Sequence, residues 1–291
     1  MKVFVTGATG FVGYAVIKEL IGEGHAVLGL SRSDTGAKSL LAVGAVPHRG
    51  DIEDLDCLRS GISQADAVIH MAFNHDFSKF AENCEADRHA ITAMGQVLVG
   101  TEKPYIVTSG TGMSATENDP PSPPSAAYPR ASEQTAIECV DLGVRASVVR
   151  LPQVHDENKQ GLITYMIAIA KAKGISAYVG DGSNCFPAVH LSDAALLYRL
   201  ALENGATGAR YHAIGEEGVS LKEIAGVIGR RLNIPVISIS AEQAFEHFGW
   251  MGLFATLDLT SSSKQTQEQL GWHPTGPGLL HDLNLTHDLE I

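Results

Sequence analysis

The chain is short of cations, cysteines and aromatic residues, and it has no long apolar run. Lysine and arginine total 21 against 33 aspartates and glutamates, a net charge of −12. That balance argues against nucleic acid and anionic membrane surfaces as partners. The four cysteines, Cys57, Cys84, Cys139 and Cys185, lie far apart, so neither a disulfide framework nor a zinc ribbon is expected. The 12 histidines show no HxxxH or HExxH spacing, and no metal site is expected. No apolar stretch is long enough to span a bilayer. The strand pattern starting at Lys2 leaves no place for a secretory leader, so the expected compartment is the cytosol.

What is present is concentrated at the start. Val3-Phe4-Val5 reads as a strand, followed by Thr6-Gly7-Ala8-Thr9-Gly10-Phe11-Val12-Gly13 and a helical pattern over 14–21. A strand turning sharply into a helix points the free N–H groups of that helix at whatever sits above the turn, and a diphosphate is the natural occupant. Gly7 permits the turn, Gly10 admits the backbone close to the diphosphate, and Gly13 lets helix and strand pack. This context marks a dinucleotide site; a glycine-rich turn with no ligand is the plainer alternative. The next strand, 26–30, ends in Ser31-Arg32-Ser33 with no carboxylate at its tip. Arg32 would attract a 2′-phosphate, and Ser31 and Ser33 would donate hydrogen bonds to it. NADP(H) is therefore expected over NAD(H), with Asp34 close by.

The 291 residues suit one large α/β domain with a smaller lobe. Strands are expected at 45–49, 67–70, 104–108 and 146–150, and helices at 52–60, 77–99 and 132–142. Unalternating runs of β-branched residues between helices imply a parallel sheet covered on both faces, a doubly wound Rossmann fold. The proline-rich stretch 119–125 reads as a surface loop. Residues 1–153 are assigned to the dinucleotide-binding core. Residues 154–291 are assigned mainly to a substrate-capping lobe, with some segments returning to the core. Helices are expected there at 161–173, 192–202, 221–232 and 241–248.

Six segments, in order, resemble the short-chain dehydrogenase/reductases of the extended or atypical type, the epimerase/dehydratase-like group. They are Thr6–Gly13, Gly50-Asp51-Ile52, His70-Met71-Ala72-Phe73, Val149-Arg150-Leu151-Pro152, 187–193 and Leu270-Gly271-Trp272-His273-Pro274. The resemblance implies that Asp51, beside Ile52, accepts from the adenine amino group. It implies that Met71, Ala72 and Phe73 run under the cofactor, and that Pro152 and Val154 lie beside the nicotinamide. It also implies a Ser/Thr, a Tyr and a Lys four residues after the Tyr. The Tyr here is Tyr128, but position 132 is Ser132, and the nearest cation is Arg130. Ser109 is the favoured hydroxyl, with Thr111 as its alternate; both also read as ordinary turn hydroxyls. Relatives often dimerise through the helices here placed at 77–99 and 132–142, which permits a homodimer.

An unperturbed Tyr, with a pKa of about 10, is protonated at neutral pH and can still donate to a carbonyl oxygen. Reduction is thus less impaired by the lost lysine than oxidation. His75 and His155 are alternative proton-transfer groups, though loop histidines are more often only surface or hydrogen-bonded. Asn74, His75, His155 and Phe186 are candidate substrate contacts. Phe245, Phe248, Trp250 and Phe254, with Met251, either wall an apolar pocket or seal the core of the lobe. The reading favoured is an NADPH-dependent reductase of a hydrophobic ketone, aldehyde or related C=X small molecule. A cofactor-binding sensor without catalysis and an epimerase or dehydratase on the same scaffold are the alternatives.

Overall fold

The computed structural model describes residues 1–126 and 128–286. Its first half alternates strand and helix: β1 (Lys2–Thr6), α1 (Phe11–Gly22), β2 (Ala26–Ser31), α2 (Asp34–Ala42), β3 (Val46–Arg49), α3 (Leu55–Ser63), β4 (Ala67–His70), α4 (Phe80–Leu98), β5 (Tyr105–Gly110), α5 (Ser132–Asp141) and β6 (Ala146–Leu151). The second half contains β7 (Gln153–His155), α6 (Ile163–Lys173), β8 (Ser176–Val179), β9 (Cys185–His190), α7 (Leu191–Asn204), β10 (Arg210–His212) and β11 (Glu216–Ser220). It continues with α8 (Leu221–Leu232), β12 (Val236–Ile239), α9 (Ala244–Phe248), α10 (Gly252–Ala255), α11 (Lys264–Leu270) and α12 (Leu279–Leu285).

Seven strands form one sheet in the order β10-β6-β5-β4-β1-β2-β3, parallel throughout. Successive side chains alternate faces, so single strands feed two cores. Val3, Val5, Ile69 and Ile106 pack with α1 and α7, whereas Phe4, Val68, Tyr105 and Val107 pack with α3, α4 and α5. The strand order reverses between β1 and β4, which opens a crevice at their carboxyl ends. Among the described residues no helix is long and apolar enough to cross a membrane.

The later chain builds a three-stranded sheet, β11-β9-β7, and a two-stranded sheet, β12-β8. With α6, α8, α9 and α12 these enclose a third core around Phe186, Ile224 and Leu283. Yet α7 packs on α1, and β10 becomes an edge strand of the main sheet. Arg199 ties the two helices, donating to Glu19 at 2.8 Å and Glu203 at 3.1 Å.

Several boundaries differ from the sequence expectation for local reasons. Helix α2 was not anticipated, because Gly36 in its first turn weakens the helical signal. The same glycine is required there: a Cβ on it would lie 2.6 Å from Ser31 Oγ and 3.0 Å from Thr9 Cγ2. The stretch 77–99 is not one helix, since Asp76 caps a separate 3-10 turn at Phe77–Lys79 before α4 begins. Helix α5 begins at Ser132 as expected, and Pro129, which disfavours helix at the residue before it, keeps Tyr128 outside.

A fully buried arginine anchors the proline-rich loop. Arg150 donates to both Glu133 oxygens, at 2.8 and 2.7 Å, and to the carbonyls of Asp119 (2.7 Å) and Thr116 (3.4 Å). Arg210 reaches Glu133 at 2.7 Å. A guanidinium can only donate, so His212 Nε2, 3.0 Å from Arg150, accepts, and His212 Nδ1–H donates to Ser262 O. Burial, with Arg150 acting in the same direction, holds the His212 pKa below its ordinary value. Removing one partner of a buried pair leaves an uncompensated charge. Glu133→Gln should therefore cost about 3–5 kcal/mol in urea unfolding; a change under about 1 kcal/mol would show that the network is not structural.

Candidate functional site

The site is built on the glycine turn at the crevice. Gly7 has φ +69°, and a Cβ there would lie 2.8 Å from Ala72 N. Gly10 N donates to Gly7 O at 2.9 Å, which closes the turn. A Cβ on Gly13 would lie 2.0 Å from Gly7 O. No side chain caps α1 at Gly10, so the first N–H groups of that helix, from Phe11, Val12 and Gly13, have no intrahelical partner. A narrow backbone cradle with free donors fits a dinucleotide diphosphate. Thr6 plays a different part from the one expected. Its hydroxyl is buried, accepts from the N–H groups of Met71 and Ala72 at 3.2 Å each, and bonds His70 Nδ1 at 2.7 Å. It pins the β4 end to the turn and leaves only its backbone for a ligand.

At the tip of β2 the arrangement also differs from expectation. Ser31 is buried and donates to Ser33 O at 3.0 Å, and Ser33 Oγ accepts from Gly36 N as the cap of α2. The Ser31 proton is spent on Ser33 O, whereas Ser33 Oγ accepts and keeps its own O–H to donate. Arg32 is 74% exposed and lies 3.7 Å from Asp51, which also receives the Glu53 N–H. Arg49, the register partner of Ser31 on β3, pairs with Asp34 at 3.2 Å. Nothing local in the sequence signals this second cation, which lies 18 residues from Ser31 and is brought alongside it by parallel pairing of β2 and β3.

A buried carboxylate, Asp87 on α4, lies behind the turn. Its Oδ1 accepts from His70 Nε2 at 3.0 Å and its Oδ2 from Ser132 Oγ at 2.5 Å. The Ser132 oxygen in turn accepts from Arg130 Nε at 2.9 Å. The Arg130 guanidinium lies over the Phe73 ring, 4.3 Å from its centroid. Burial alone would raise the Asp87 carboxyl. The hydrogen bond and charge of His70, the charge of Arg130 and the Ser132 hydroxyl together hold it below the ordinary carboxylate range.

Tyr128 sits in a tight turn, with its N–H on Ser125, and its ring lies 5.7 Å from that of Phe80. Phe80 in turn neighbours Phe73 at 6.2 Å and Phe77 at 5.9 Å, and Phe77 stacks on Trp250 at 4.4 Å. This half-exposed aromatic wall joins the β4 end to the later lobe. His75 lies on the exposed loop, 5.4 Å from Phe73, and Asn74 Oδ1 accepts from Asp76 N. Desolvation, and then the charges of Arg130 and Lys159, push the His75 pKa below its ordinary value. Ser109 and Thr111 close β5 on the same sheet edge, beside Arg150 and Leu151 of β6.

The remaining expected contacts differ in how far they are buried. Phe186 is fully enclosed in the third core, so it supports the lobe and presents no surface. His155 is also fully buried, with Nδ1 on Asp282 at 2.7 Å; burial lowers its pKa although Asp282 and Glu216 act against this. Val154 packs in the main core, and Pro152 follows β6 half-exposed. Of the later aromatics, Phe248 and Met251 seal the third core, Phe245 faces solvent at 60% exposure, and Phe254 neighbours Trp250. No group of three or more potential metal ligands occurs among the described residues.

The model of the family described as NAD dependent epimerase/dehydratase matches residues 3–214. An uncharacterized protein of Schizosaccharomyces pombe is 49% identical over 292 residues, covering 97% of this chain and 98% of that one. Another of Saccharomyces cerevisiae is 44% identical over the full length of both chains. A 2-alkyl-3-oxoalkanoate reductase of Stenotrophomonas maltophilia is 29% identical over 72% of this chain and 67% of that protein. In overall fold the chain is similar to a dTDP-glucose 4,6-dehydratase of Streptomyces venezuelae with NAD and TYD bound. The TM-score is 0.75 and the identity 21%, over 98% of this chain and 96% of that one.

Because the Asp87 carboxyl is depressed in the fold, its contribution to stability is present above an unfolded value of about 4 and is lost as pH falls through the folded value. Unfolding free energy should drop steeply below about pH 4 in the wild type. Asp87→Asn should be less stable at pH 7 with a shallower acid slope; parallel slopes would contradict the assignment.

Proposed function

The chain belongs to the NAD-dependent epimerase/dehydratase family, and within it we propose an NADPH-dependent reductase of hydrophobic ketones, aldehydes or related C=X groups. The observation that carries this reading is the conjunction of a backbone cradle that fits a dinucleotide with a half-exposed aromatic wall reaching Tyr128. When bound, the dinucleotide supplies the hydride. Gly7, Thr9, Gly10 and the first residues of α1 hold its diphosphate, Asp51 and Ile52 its adenine, and Met71, Ala72 and Phe73 lie beneath it. Arg32, joined by Arg49, takes the 2′-phosphate. The two carboxylates beside these cations are both paired, Asp51 with Arg32 at 3.7 Å and Asp34 with Arg49 at 3.2 Å.

Tyr128 donates the proton to the substrate oxygen, and Ser109, or Thr111 in its place, holds that oxygen. His75 is a poorer donor, because its lowered pKa leaves it without a readily released proton at neutral pH. Phe77, Phe80 and Trp250 favour an apolar substrate. The relative named a 2-alkyl-3-oxoalkanoate reductase supports that class. A second reading, a dinucleotide-binding sensor, draws on one feature: Tyr128 lies outside α5, and position 132 is a serine bonded to Asp87.

NADPH consumption with a panel of apolar ketones and aldehydes tests the reading. Tyr128→Phe should lower kcat by about 10²–10⁴-fold, whereas His75→Ala should change it by less than about threefold. Equal losses would remove Tyr128 as the donor. Arg32→Glu should weaken NADPH binding about tenfold more than NADH binding. Tight NADPH binding without turnover across the panel would replace the reductase by the sensor.

A further inference from the structure

In a chain of net charge −12, Arg130 forms no ion pair among the described residues. Its position is nevertheless tightly specified. Nε donates to Ser132 Oγ at 2.9 Å, and the guanidinium plane rests 4.3 Å from the centroid of Phe73. Behind Ser132 runs a buried chain of hydrogen bonds. Ser132 donates to Asp87 at 2.5 Å, His70 donates to the other Asp87 oxygen at 3.0 Å, and Thr6 bonds His70 at 2.7 Å. Thr6 in turn accepts from the backbone of Met71 and Ala72, against which Gly7 is packed. The location of this cation is thus referenced to the glycine turn through four side chains, Ser132, Asp87, His70 and Thr6. Both Nη groups remain without a protein acceptor among the described residues.

A planar fork of N–H donors with one nitrogen and one face engaged is pre-organised for phosphate or hydroxyl oxygens. The topology indicates which part of a ligand it meets. The sheet order β5-β4-β1-β2-β3 puts Arg32 and Asp51 on the β2–β3 side of the turn. Arg130, stacked on the residue three beyond β4 and two before α5, is on the opposite side. A dinucleotide lying across the point where the strand order reverses has its adenosine half over β2 and its other half over β4 and β5.

We propose that Arg130 binds the ribose–phosphate oxygens of the non-adenosine half of the dinucleotide, and that Ser132, Asp87 and His70 are positioning residues that set its guanidinium there. The proposal rests on the reading that this chain binds a dinucleotide. It makes the relay a sensor of register between α5 and the glycine turn: a shift of either moves the charge.

The test compares a whole dinucleotide with its adenosine half by calorimetric titration of the full chain, using NADPH and 2′,5′-ADP. Arg130→Met keeps the stem over Phe73 and removes the charge. It should weaken NADPH by about tenfold or more and leave 2′,5′-ADP unchanged. Arg130→Lys should recover part of the loss. Ser132→Ala should weaken NADPH by a smaller factor, and the double variant should be no weaker than Arg130→Met alone, because both act through one group. Additive losses would reduce Ser132 to a structural role. NADPH binding indifferent to Arg130→Met, or equal losses on both ligands, overturns the proposal while the dinucleotide reading stands. NADH and ADP, run in parallel, should show the same contrast. A chain that binds neither dinucleotide overturns both.

Discussion

One buried carboxylate organises the crevice. Asp87 is enclosed by α4, β4 and the start of α5, and an isolated charge there would be prohibitively costly. His70 and Ser132 make it tolerable by giving each oxygen a donor. The same bonds fix three elements relative to one another: β4 through His70, β1 through Thr6, and α5 through Ser132. The cradle for a diphosphate and the cation at Arg130 therefore share one reference point. Neither can shift without leaving a buried polar group unpaired.

A second buried network acts on the other side of α5. Arg150 and Glu133 tie β6 to that helix, and Arg150 also holds the carbonyls of Thr116 and Asp119. The loop that carries Tyr128 is thus anchored at its root even though its proline-rich tip is exposed. Charge follows the same logic. Acidic residues dominate the chain, yet Arg32, Arg49, Arg130 and Lys159 sit at or near the carboxyl edge of the sheet, where an anionic ligand would lie. Lys159 stands 5.6 Å from the ring centroid of Phe11, the first residue of α1.

What the sequence made legible was local. The glycine spacing after Val3-Phe4-Val5 announced the turn, and runs such as Ala67–His70 announced strands covered on both faces. Both signals are carried by neighbouring residues, and both survive into the fold. The relay was not legible, because its members are 64, 17 and 45 residues apart and each looks ordinary alone. Ser31 and Ser33 show how ambiguous a strand-tip hydroxyl is, since it suits a phosphate or a local turn equally well: Ser31 donates to Ser33 O, and Ser33 caps α2. Phe186 and His155 looked like pocket residues because their segments end near the site; tertiary packing turns both inward. In the sequence Arg130 is only the cation nearest Tyr128; the bond to Ser132 Oγ, which folding creates, fixes its place.

The proposed activity is the passage of reducing equivalents to an apolar carbonyl compound. The most direct measurement is mass analysis of the product after incubation with NADPH deuterated at the transferable C4 position of the nicotinamide. A reductase of this kind yields an alcohol, or the corresponding reduced C=X product, that is one mass unit heavier, with the label on the former carbonyl carbon. Product formed without the label, or dinucleotide bound while every carbonyl compound is returned unchanged, would contradict it.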